Sequence, residues 1–370
     1  MIELARTLVR ANTVNPPGGE LVLAELLGAR LEAAGMEVRL QEIGLGRANV
    51  VARSMSRERR PALCFTGHLD VVPVGGAAWS HDPFGAEVDG DRLYGRGSSD
   101  MKGGVAAIVA AVERLASVLA GAEASVEVVL TAGEETGCDG ARALAGSSLL
   151  RDVGAMVVAE PTGNQPRIAH KGVLWVRAET TGLLAHGSTP ELGRNAIYPL
   201  AEAVGRLEGI DFGVAEHPLL GGPTLNLGTF HGGGNVNSVP DRAVAEIDVR
   251  AVPGLGEDAV LAALRDRMGP AVDISPILSV PAVETDPADP WVADVFDVLE
   301  PLLGSRPTPA GIDPFTDAAF LTPAYGGPPT IVCGPGESDQ AHRTDEWCSI
   351  ARIEQAVEAY VEIARRWCGL

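Results

Sequence analysis

Acidic residues and histidines follow several apolar runs of this sequence, at the points where those runs end. The run at 62–65 predicts a buried strand that ends at Gly67, and His68 and Asp70 follow two residues apart. Residues i and i+2 of an extended chain point to the same side, so both side chains can project from one strand tip. A metal-bound imidazole usually donates its second ring N–H to a carboxylate. The pair therefore suits a metal site, although His-x-Asp alone is also typical of a solvated turn.

Further acids and one more histidine lie downstream at similar positions. They are Asp100, Glu134, Glu135, Glu160 and His342. Carboxylates crowded together repel one another unless cations hold them. Imidazole and carboxylate ligands without thiolate suit zinc or a similar divalent ion. The number of candidates indicates two ions, which need a carboxylate to bridge them. Glu134 and Glu135 are adjacent at a strand tip, so one can bind a metal while the other faces the reacting water as a general base.

The elements predicted around these residues are those of an α/β protein. Apolar strands alternate with helices through the first 172 residues, which favours a mostly parallel sheet. Ligands of such sheets bind beyond the carboxyl ends of the strands. Asp70, Glu134 and Glu160 would all lie there.

The pattern changes near Gly172. Residues 173–281 have the order β-α-β-β-α-β of a self-contained, ferredoxin-like unit. We therefore predict a catalytic domain made of residues 1–172 and 282–370, an inserted domain at 173–281, and a hinge between them near Gly172 and Pro281.

Composition limits the partners and the compartment. The formal charge of −20 argues against nucleic acid or an anionic membrane surface as the main partner. No run approaches the ~18 consecutive apolar residues of a membrane span, and the start of the chain lacks the features of a signal peptide. The five cysteines are scattered and form no CxxC pair, which is typical of a reducing compartment. We therefore expect a cytoplasmic protein.

Eight segments resemble, in register, the M20 family of dinuclear zinc amidohydrolases and exopeptidases, which includes acetylornithine deacetylase, succinyl-diaminopimelate desuccinylase, aminoacylase-1 and glutamate carboxypeptidase. The segments are GHLDVVP (67–73), WSHDPF (79–84), LYGRGSSDMKGG (93–104), TAGEETG (131–137), AEPT (159–162), AHGSTPELGRNAI (185–197), NSVPDRAVAEIDVR (237–250) and GPGESDQAHRTDE (334–346). The resemblance covers essentially the whole chain. It implies an α/β, zinc-exopeptidase-like catalytic domain with an inserted ferredoxin-like dimerisation (lid) domain.

The resemblance also implies a division of the metal ligands. One ion would be held by His68 and Glu160, and the other by Glu135 and His342. Asp100 would bridge the two ions. Both would be divalent, with Zn²⁺ expected and Co²⁺ as the alternative.

The remaining roles follow from the same resemblance. Asp70 would orient His68. Glu134 would take a proton from metal-bound water, and the resulting hydroxide would attack the amide carbonyl. Glu134 would then protonate the leaving amine. His186 matches a histidine that family members supply from the inserted domain of a partner subunit to stabilise the oxyanion. This implies a homodimer formed through the inserted domain. A substrate carboxylate would be held by Arg250 and Asn237, and Thr316 would line the same pocket.

The implied activity is hydrolysis of the amide bond of an N-acyl amino acid. The segment at 334–346 resembles the acetylornithine deacetylase branch more than the desuccinylase branch. A desuccinylase, carboxypeptidase or dipeptidase acting on a dipeptide stays open, because small residues around the site decide the substrate. A non-catalytic binding protein of this fold would be expected to lack the base or some ligands. Here all seven positions are present, namely the five ligands, Asp70 and Glu134. The other histidines, His81, His170, His217 and His231, are assigned to loops or packing, and the glycine-rich segment 95–97 to a turn.

Overall fold

The computed structural model describes all 370 residues, which form two compact units. The first unit comprises Met1–Ala169, Glu284–Gly311 and Thr316–Leu370, and the second unit comprises His170–Val283 and Ile312–Phe315. The predicted insertion at 173–281 falls inside the second unit. That unit also takes the short segment Ile312–Phe315, which no feature of the sequence indicates.

The secondary structure follows the predicted alternation of strands and helices. The helices are α1 (Ile2–Arg10), α2 (Leu21–Ala33), α3 (Gly103–Leu119), α4 (Asp139–Ala145), α5 (Ile197–Gly205), α6 (Glu257–Met268), α7 (Pro290–Leu303), α8 (Ala318–Ala324) and α9 (Ile350–Cys368). The strands are β1 (Met36–Gly44), β2 (Arg47–Ser54), β3 (Arg60–His68), β4 (Val88–Asp89), β5 (Arg92–Tyr94), β6 (Ala124–Thr131), β7 (Val153–Pro161), β8 (Ala169–His170), β9 (Gly172–Thr181), β10 (Thr224–Gly232), β11 (Arg242–Ala251), β12 (Asp273–Val280), β13 (Val283–Glu284), β14 (Gly311–Ile312), β15 (Thr330–Gly334) and β16 (Trp347–Ser349). None of the helices combines the length and the apolar character needed to cross a membrane.

A six-stranded sheet in the order β1-β2-β6-β3-β7-β15 forms the centre of the first unit. β6, β3, β7 and β15 run parallel, and β2 and β1 extend the sheet in antiparallel pairs. Every residue of β6 is buried, as expected of a strand covered on both faces. β3 continues one residue beyond the predicted end at Gly67, because His68 still pairs with Thr131 of β6.

Close packing of α3 on this sheet depends on a glycine. A Cβ at Gly104 would lie 2.3 Å from the carbonyl oxygen of Ala159 in β7, so only glycine permits the approach. The same approach places the start of α3 near the carboxyl end of β7. On α9, Tyr360 is fully buried, with its ring 5.3 Å from that of Phe65 and its hydroxyl donating to the carbonyl oxygen of Cys333 at 2.6 Å.

The second unit contains a four-stranded antiparallel sheet in the order β10-β11-β9-β12. With α5 and α6 it has the predicted ferredoxin-like order of elements. Buried residues alternate along β11, and they pack with apolar residues of both helices, such as Leu200 and Leu264. β10 is an edge strand whose residues are mostly exposed.

Candidate metal centre

Three neighbouring strands of the six-stranded sheet end at the candidate site. β3 ends at His68, β6 ends just before the turn that carries Glu134 and Glu135, and Glu160 is the last residue but one of β7. β3 lies between the other two strands and runs parallel to both. The four side chains therefore meet at one edge of the sheet, and His68, Glu134 and Glu160 are buried there.

Asp100 divides its two carboxylate oxygens between two sets of partners. Oδ1 lies 3.2 Å from His68 Nε2, and that nitrogen is 3.7 Å from Glu160 Oε1. Oδ2 lies 3.4 Å from His342 Nε2, and that nitrogen is 3.0 Å from Glu135 Oε2. One carboxylate thus stands between the His68–Glu160 pair and the His342–Glu135 pair.

Neither Asp100 nor His342 lies on a strand of the large sheet. Asp100 belongs to a kinked turn, Ser98–Lys102, directly before α3, and its own φ of −121° and ψ of 93° are not helical. His342 lies in the loop between β15 and β16 with a left-handed φ of 63°. Its side chain is 54% exposed, against 1% for that of His68. Packing therefore fixes His68 far more firmly than His342.

Asp70 orients more of the site than its spacing from His68 predicts. The Nδ1 atom of His68 lies 3.0 Å from the backbone carbonyl oxygen of Asp70 and 3.5 Å from its Oδ1. The carboxylate itself accepts the backbone N–H of Glu134 at 3.1 Å and that of Glu135 at 3.2 Å. It also accepts a hydrogen bond from Asn15 Nδ2 at 2.9 Å. Asp70 therefore holds the imidazole and the adjacent Glu-Glu turn together.

The pKa values of the cluster reflect a concentration of negative charge. Burial raises the pKa of Glu134 well above its usual value, and the Glu160 carboxylate raises it further. Burial would lower the pKa of His68, but Glu160 and Asp100 raise it well above the usual value. Burial would raise the pKa of Asp100, but hydrogen bonds from His342 and His68 hold it below the usual value. Hydrogen bonds to its carboxylate partners raise the pKa of His342 to about 10. Bound cations would stabilise such a cluster.

The donor set fits divalent metal ions. Imidazole nitrogens and carboxylate oxygens without thiolate suit zinc and related ions. Oε1 of Glu135 is buried and has no hydrogen-bond partner, as expected of an oxygen that a cation would satisfy. Two sets of three residues each bring their donor atoms within 4.8 Å of one another. One set is His68, Asp100 and Glu135, and the other is His68, Glu134 and Glu160.

The second unit carries three of the predicted site residues. His186 and Asn237 lie on neighbouring exposed segments, because His186 forms a β-bridge with Ser238 and the N–H of Gly187 donates to the carbonyl oxygen of Asn237 at 2.7 Å. The N–H of Ser188 donates to Nδ1 of His186 at 3.1 Å. The Ser188 hydroxyl lies 2.7 Å from the same nitrogen, so Nδ1 is occupied by Ser188 and Nε2 is the ring nitrogen left for another partner.

Arg250 and Thr316 have intramolecular partners. Arg250, on β11, forms an ion pair with Asp248, with Nε 3.0 Å from Oδ1. Thr316 belongs to the first unit, is 1% exposed, and accepts the N–H of Ala318 on its hydroxyl at 3.2 Å, at the start of α8. Its predicted place in a substrate pocket stays a prediction.

Sequence reasoning missed the residues that support the ligands. Asn15 lies in the segment Asn-Pro-Pro-Gly-Gly, which indicates only a break between two helices, yet its amide donates to both Asp70 and Thr136. Arg96 and Glu346 lie inside segments that resemble the family, but nothing in their spacing indicates that they meet. They form a buried ion pair beside Asp100.

Comparison with known proteins establishes the family. The sequence profile of peptidase family M20/M25/M40 matches residues 64–366. An acetylornithine deacetylase of Photorhabdus laumondii is 30% identical over 99% of this chain and 97% of its own length. A probable succinyl-diaminopimelate desuccinylase of Staphylococcus epidermidis is 28% identical, again over 99% of this chain and 97% of its own length. The crystal structure of an M20 family metallo-carboxypeptidase from Sulfolobus solfataricus has a TM-score of 0.82 at 22% identity, covering 100% of this chain and 99% of the other, and so shows the same fold.

The chain belongs to peptidase family M20/M25/M40. The predicted family resemblance and the predicted α/β fold are confirmed. So is the reaction class, since the protein is a hydrolase of amide bonds.

Proposed function

We propose that this chain is a dinuclear, metal-dependent deacylase that hydrolyses the amide bond of an N-acyl amino acid, as an acetylornithine deacetylase does. The observation that carries the proposal is the position of Asp100, whose two oxygens face two separate imidazole–carboxylate pairs. A carboxylate with a donor set on each side is what two neighbouring divalent ions require. The names of the two relatives described above support an N-acyl amino acid as the substrate class.

Five residues would hold the two ions. His68 and Glu160 would bind the first, His342 and Glu135 the second, and Asp100 both. Zn²⁺ suits these donors, and Co²⁺ shares its preference. Metal ions held there would supply a lowered pKa for a bound water and polarisation of the substrate carbonyl.

Glu134 would act as the general base and then as the general acid. Burial and the neighbouring carboxylates raise its pKa, which makes it a better proton acceptor. Its carboxylate lies within the same small group of donor atoms as His68 and Glu160, and its backbone is held by Asp70. Glu134 would take a proton from the attacking water and deliver it to the nitrogen of the leaving amine.

The second unit would supply the groups that recognise the substrate. His186, whose Nδ1 faces Ser188, would stabilise the oxyanion in the active site of a partner subunit through its Nε2. Arg250 and Asn237 would hold the substrate carboxylate, and Thr316 of the first unit would line the same pocket.

A role for His186 in a partner subunit requires a homodimer. We assign the contact to the second unit because α5 and the edge strand β10 expose large apolar side chains there, namely Tyr198, Leu227 and Phe230. An exposed edge strand is a template for pairing with a second chain. Analytical ultracentrifugation should therefore give a dimer, and a strict monomer with full activity would contradict the role of His186.

We also infer a cytoplasmic location. All five cysteines are free and buried, as expected of a chain that stays in a reducing compartment.

A hydrolysis panel tests the proposal. N-acetyl, N-formyl and N-succinyl amino acids, including N-acetylornithine and N-succinyl-diaminopimelate, and dipeptides are offered to the purified protein with and without a chelator. We expect turnover of N-acetyl amino acids that the chelator abolishes and that added Zn²⁺ or Co²⁺ restores. Preference for the succinyl compound would favour a desuccinylase, and preference for dipeptides a peptidase. Turnover that survives complete metal removal would contradict the proposed mechanism.

A further inference from the structure

A buried ion pair joins the segments that supply Asp100 and His342. Arg96 is 2% exposed and Glu346 is fully buried, and Arg96 Nη1 lies 2.6 Å from Glu346 Oε2. Neither residue belongs to the ligands, the base or the substrate groups described above. Burying an ion pair is a poor route to stability, because desolvation offsets the attraction between the charges. The contacts of these two side chains suggest another purpose.

Glu346 holds the backbone of the turn that carries Asp100. Its Oε1 accepts the N–H of Ser99 at 2.9 Å and that of Asp100 at 3.0 Å. Its Oε2 accepts the N–H of Gly97 at 2.9 Å, in addition to the bond from Arg96. A carboxylate accepts about four hydrogen bonds, so Glu346 is fully engaged along this turn.

Arg96 holds the backbone of the loop that carries His342. Its Nη1 donates to the carbonyl oxygen of Arg343 at 3.1 Å, and its Nη2 donates to that of His342 at 3.4 Å. Nη2 also donates to the carbonyl oxygen of Pro73 at 3.3 Å, in the segment that follows Asp70. The planar guanidinium fixes these donors relative to one another. Arg96 therefore ties the loop of His342 and the segment that follows Asp70 to Glu346.

We propose that Arg96 and Glu346 are positioning residues that fix the distance between Asp100 and His342 and so define the second metal position. The inference rests on the proposed dinuclear function. His68 and Glu160 sit on buried strands of the sheet and need no such support. His342 is half exposed, and its imidazole reaches Asp100 and Glu135 from a loop. The first ion shares Asp100 but has His68 and Glu160 as its other ligands, so it should depend on the ion pair less than the second ion does.

Zn²⁺ binding to the full-length apoprotein tests this inference. Glu346→Gln replaces one oxygen with an NH₂ group, which would face either Ser99 and Asp100 or Arg96 and Gly97, so half of the contacts are lost in either orientation. Binding is measured by competition with a chromophoric chelator. Glu127→Gln serves as the matched control, because Glu127 is also fully buried beside an arginine, Arg53, at 3.0 Å, but touches none of the proposed ligands.

We expect Glu346→Gln to bind one Zn²⁺ about 10- to 100-fold more weakly and the other with a clearly smaller loss of affinity. Glu127→Gln should bind both as the wild type does, even if its thermal unfolding midpoint falls. In a His342→Ala background, Glu346→Gln should weaken the remaining ion less than it weakens the second ion of the otherwise unchanged protein, because only Asp100 among its ligands lies on the turn that Glu346 holds. Arg96→Lys keeps the charge but loses the planar set of N–H donors, so it should also weaken the second Zn²⁺. It replaces Glu346→Gln in the experiment if that variant fails to fold.

The outcomes separate this inference from the proposed function. Wild-type affinity for both ions in Glu346→Gln and Arg96→Lys, with loss of stability alone, would overturn the positioning role and leave the dinuclear centre intact. A wild-type protein that binds fewer than two ions at saturation would overturn the dinuclear centre and, with it, the second position.

Discussion

Asp70→Asn is the substitution whose effect the structure predicts in most detail. The Asp70 carboxylate accepts the backbone N–H groups of Glu134 and Glu135 on different oxygens. Asparagine presents one oxygen and one NH₂ group, so one of these N–H groups must face a donor. A hydrogen bond to a charged group contributes about 1.5–3 kcal/mol. If that energy serves to hold Glu134 for proton transfer, kcat should fall about 10- to 150-fold, since each 1.36 kcal/mol is tenfold in rate.

The metal content of Asp70→Asn should change much less than its activity. The closest partner of His68 Nδ1 is the backbone carbonyl oxygen of residue 70, at 3.0 Å, which the substitution retains. The assay is kcat at saturating substrate together with metal content by mass spectrometry after dialysis. Asp139→Asn is the control, because Asp139 contacts the same turn through Thr136 but is 44% exposed and bonds to neither N–H group. A proportional fall of activity and metal content, or a kcat at the wild-type value, would show that Asp70 does not hold Glu134 for proton transfer.

Three further predictions follow from single residues. His68→Ala should retain about one ion per chain, measured by mass spectrometry, whereas His81→Ala, outside the cluster, should retain both. Arg250→Gln should raise KM for substrates with a free carboxylate by about tenfold or more with little change in kcat, because it removes a charge-assisted bond, and Arg242→Gln on the same strand should not. Burial lowers the pKa of His170 from 6.5 to about 4, so the unfolded chain binds more protons between these pH values. About 3 kcal/mol of the free energy of unfolding should therefore be present above pH 6.5 and lost as the pH falls to 4. Urea unfolding of the apoprotein measures this loss, and His170→Gln should remove this part of the pH dependence.

The sequence predicts those parts of the site that local patterns determine. A buried strand followed by acidic residues places Glu134, Glu135 and Glu160 at the carboxyl edge of a parallel sheet, and the structure brings them together there. The i, i+2 spacing of His68 and Asp70 correctly predicts that their side chains are neighbours. These inferences succeed because strand period and parallel order are local or near-local properties.

The supporting contacts could not be predicted because their partners are distant in sequence. Asn15 meets Asp70 across 55 residues, and Glu346 meets the N–H of Asp100 across 246. Their segments indicate only a helix break and a loop. The short helices α4 and α8 were also not predicted, since each has seven residues and tertiary packing rather than periodicity stabilises helices of that length.

In the mechanism proposed here, Glu134 transfers the proton at a centre whose metal ions it does not hold. The most direct test is turnover and metal content of Glu134→Ala and of the isosteric Glu134→Gln, measured side by side on the best substrate of the panel. We predict that both variants bind two ions, as the wild type does, and lose about 10²- to 10⁴-fold in kcat. Turnover within about tenfold of the wild type, or loss of an ion in Glu134→Gln, would contradict this role of Glu134.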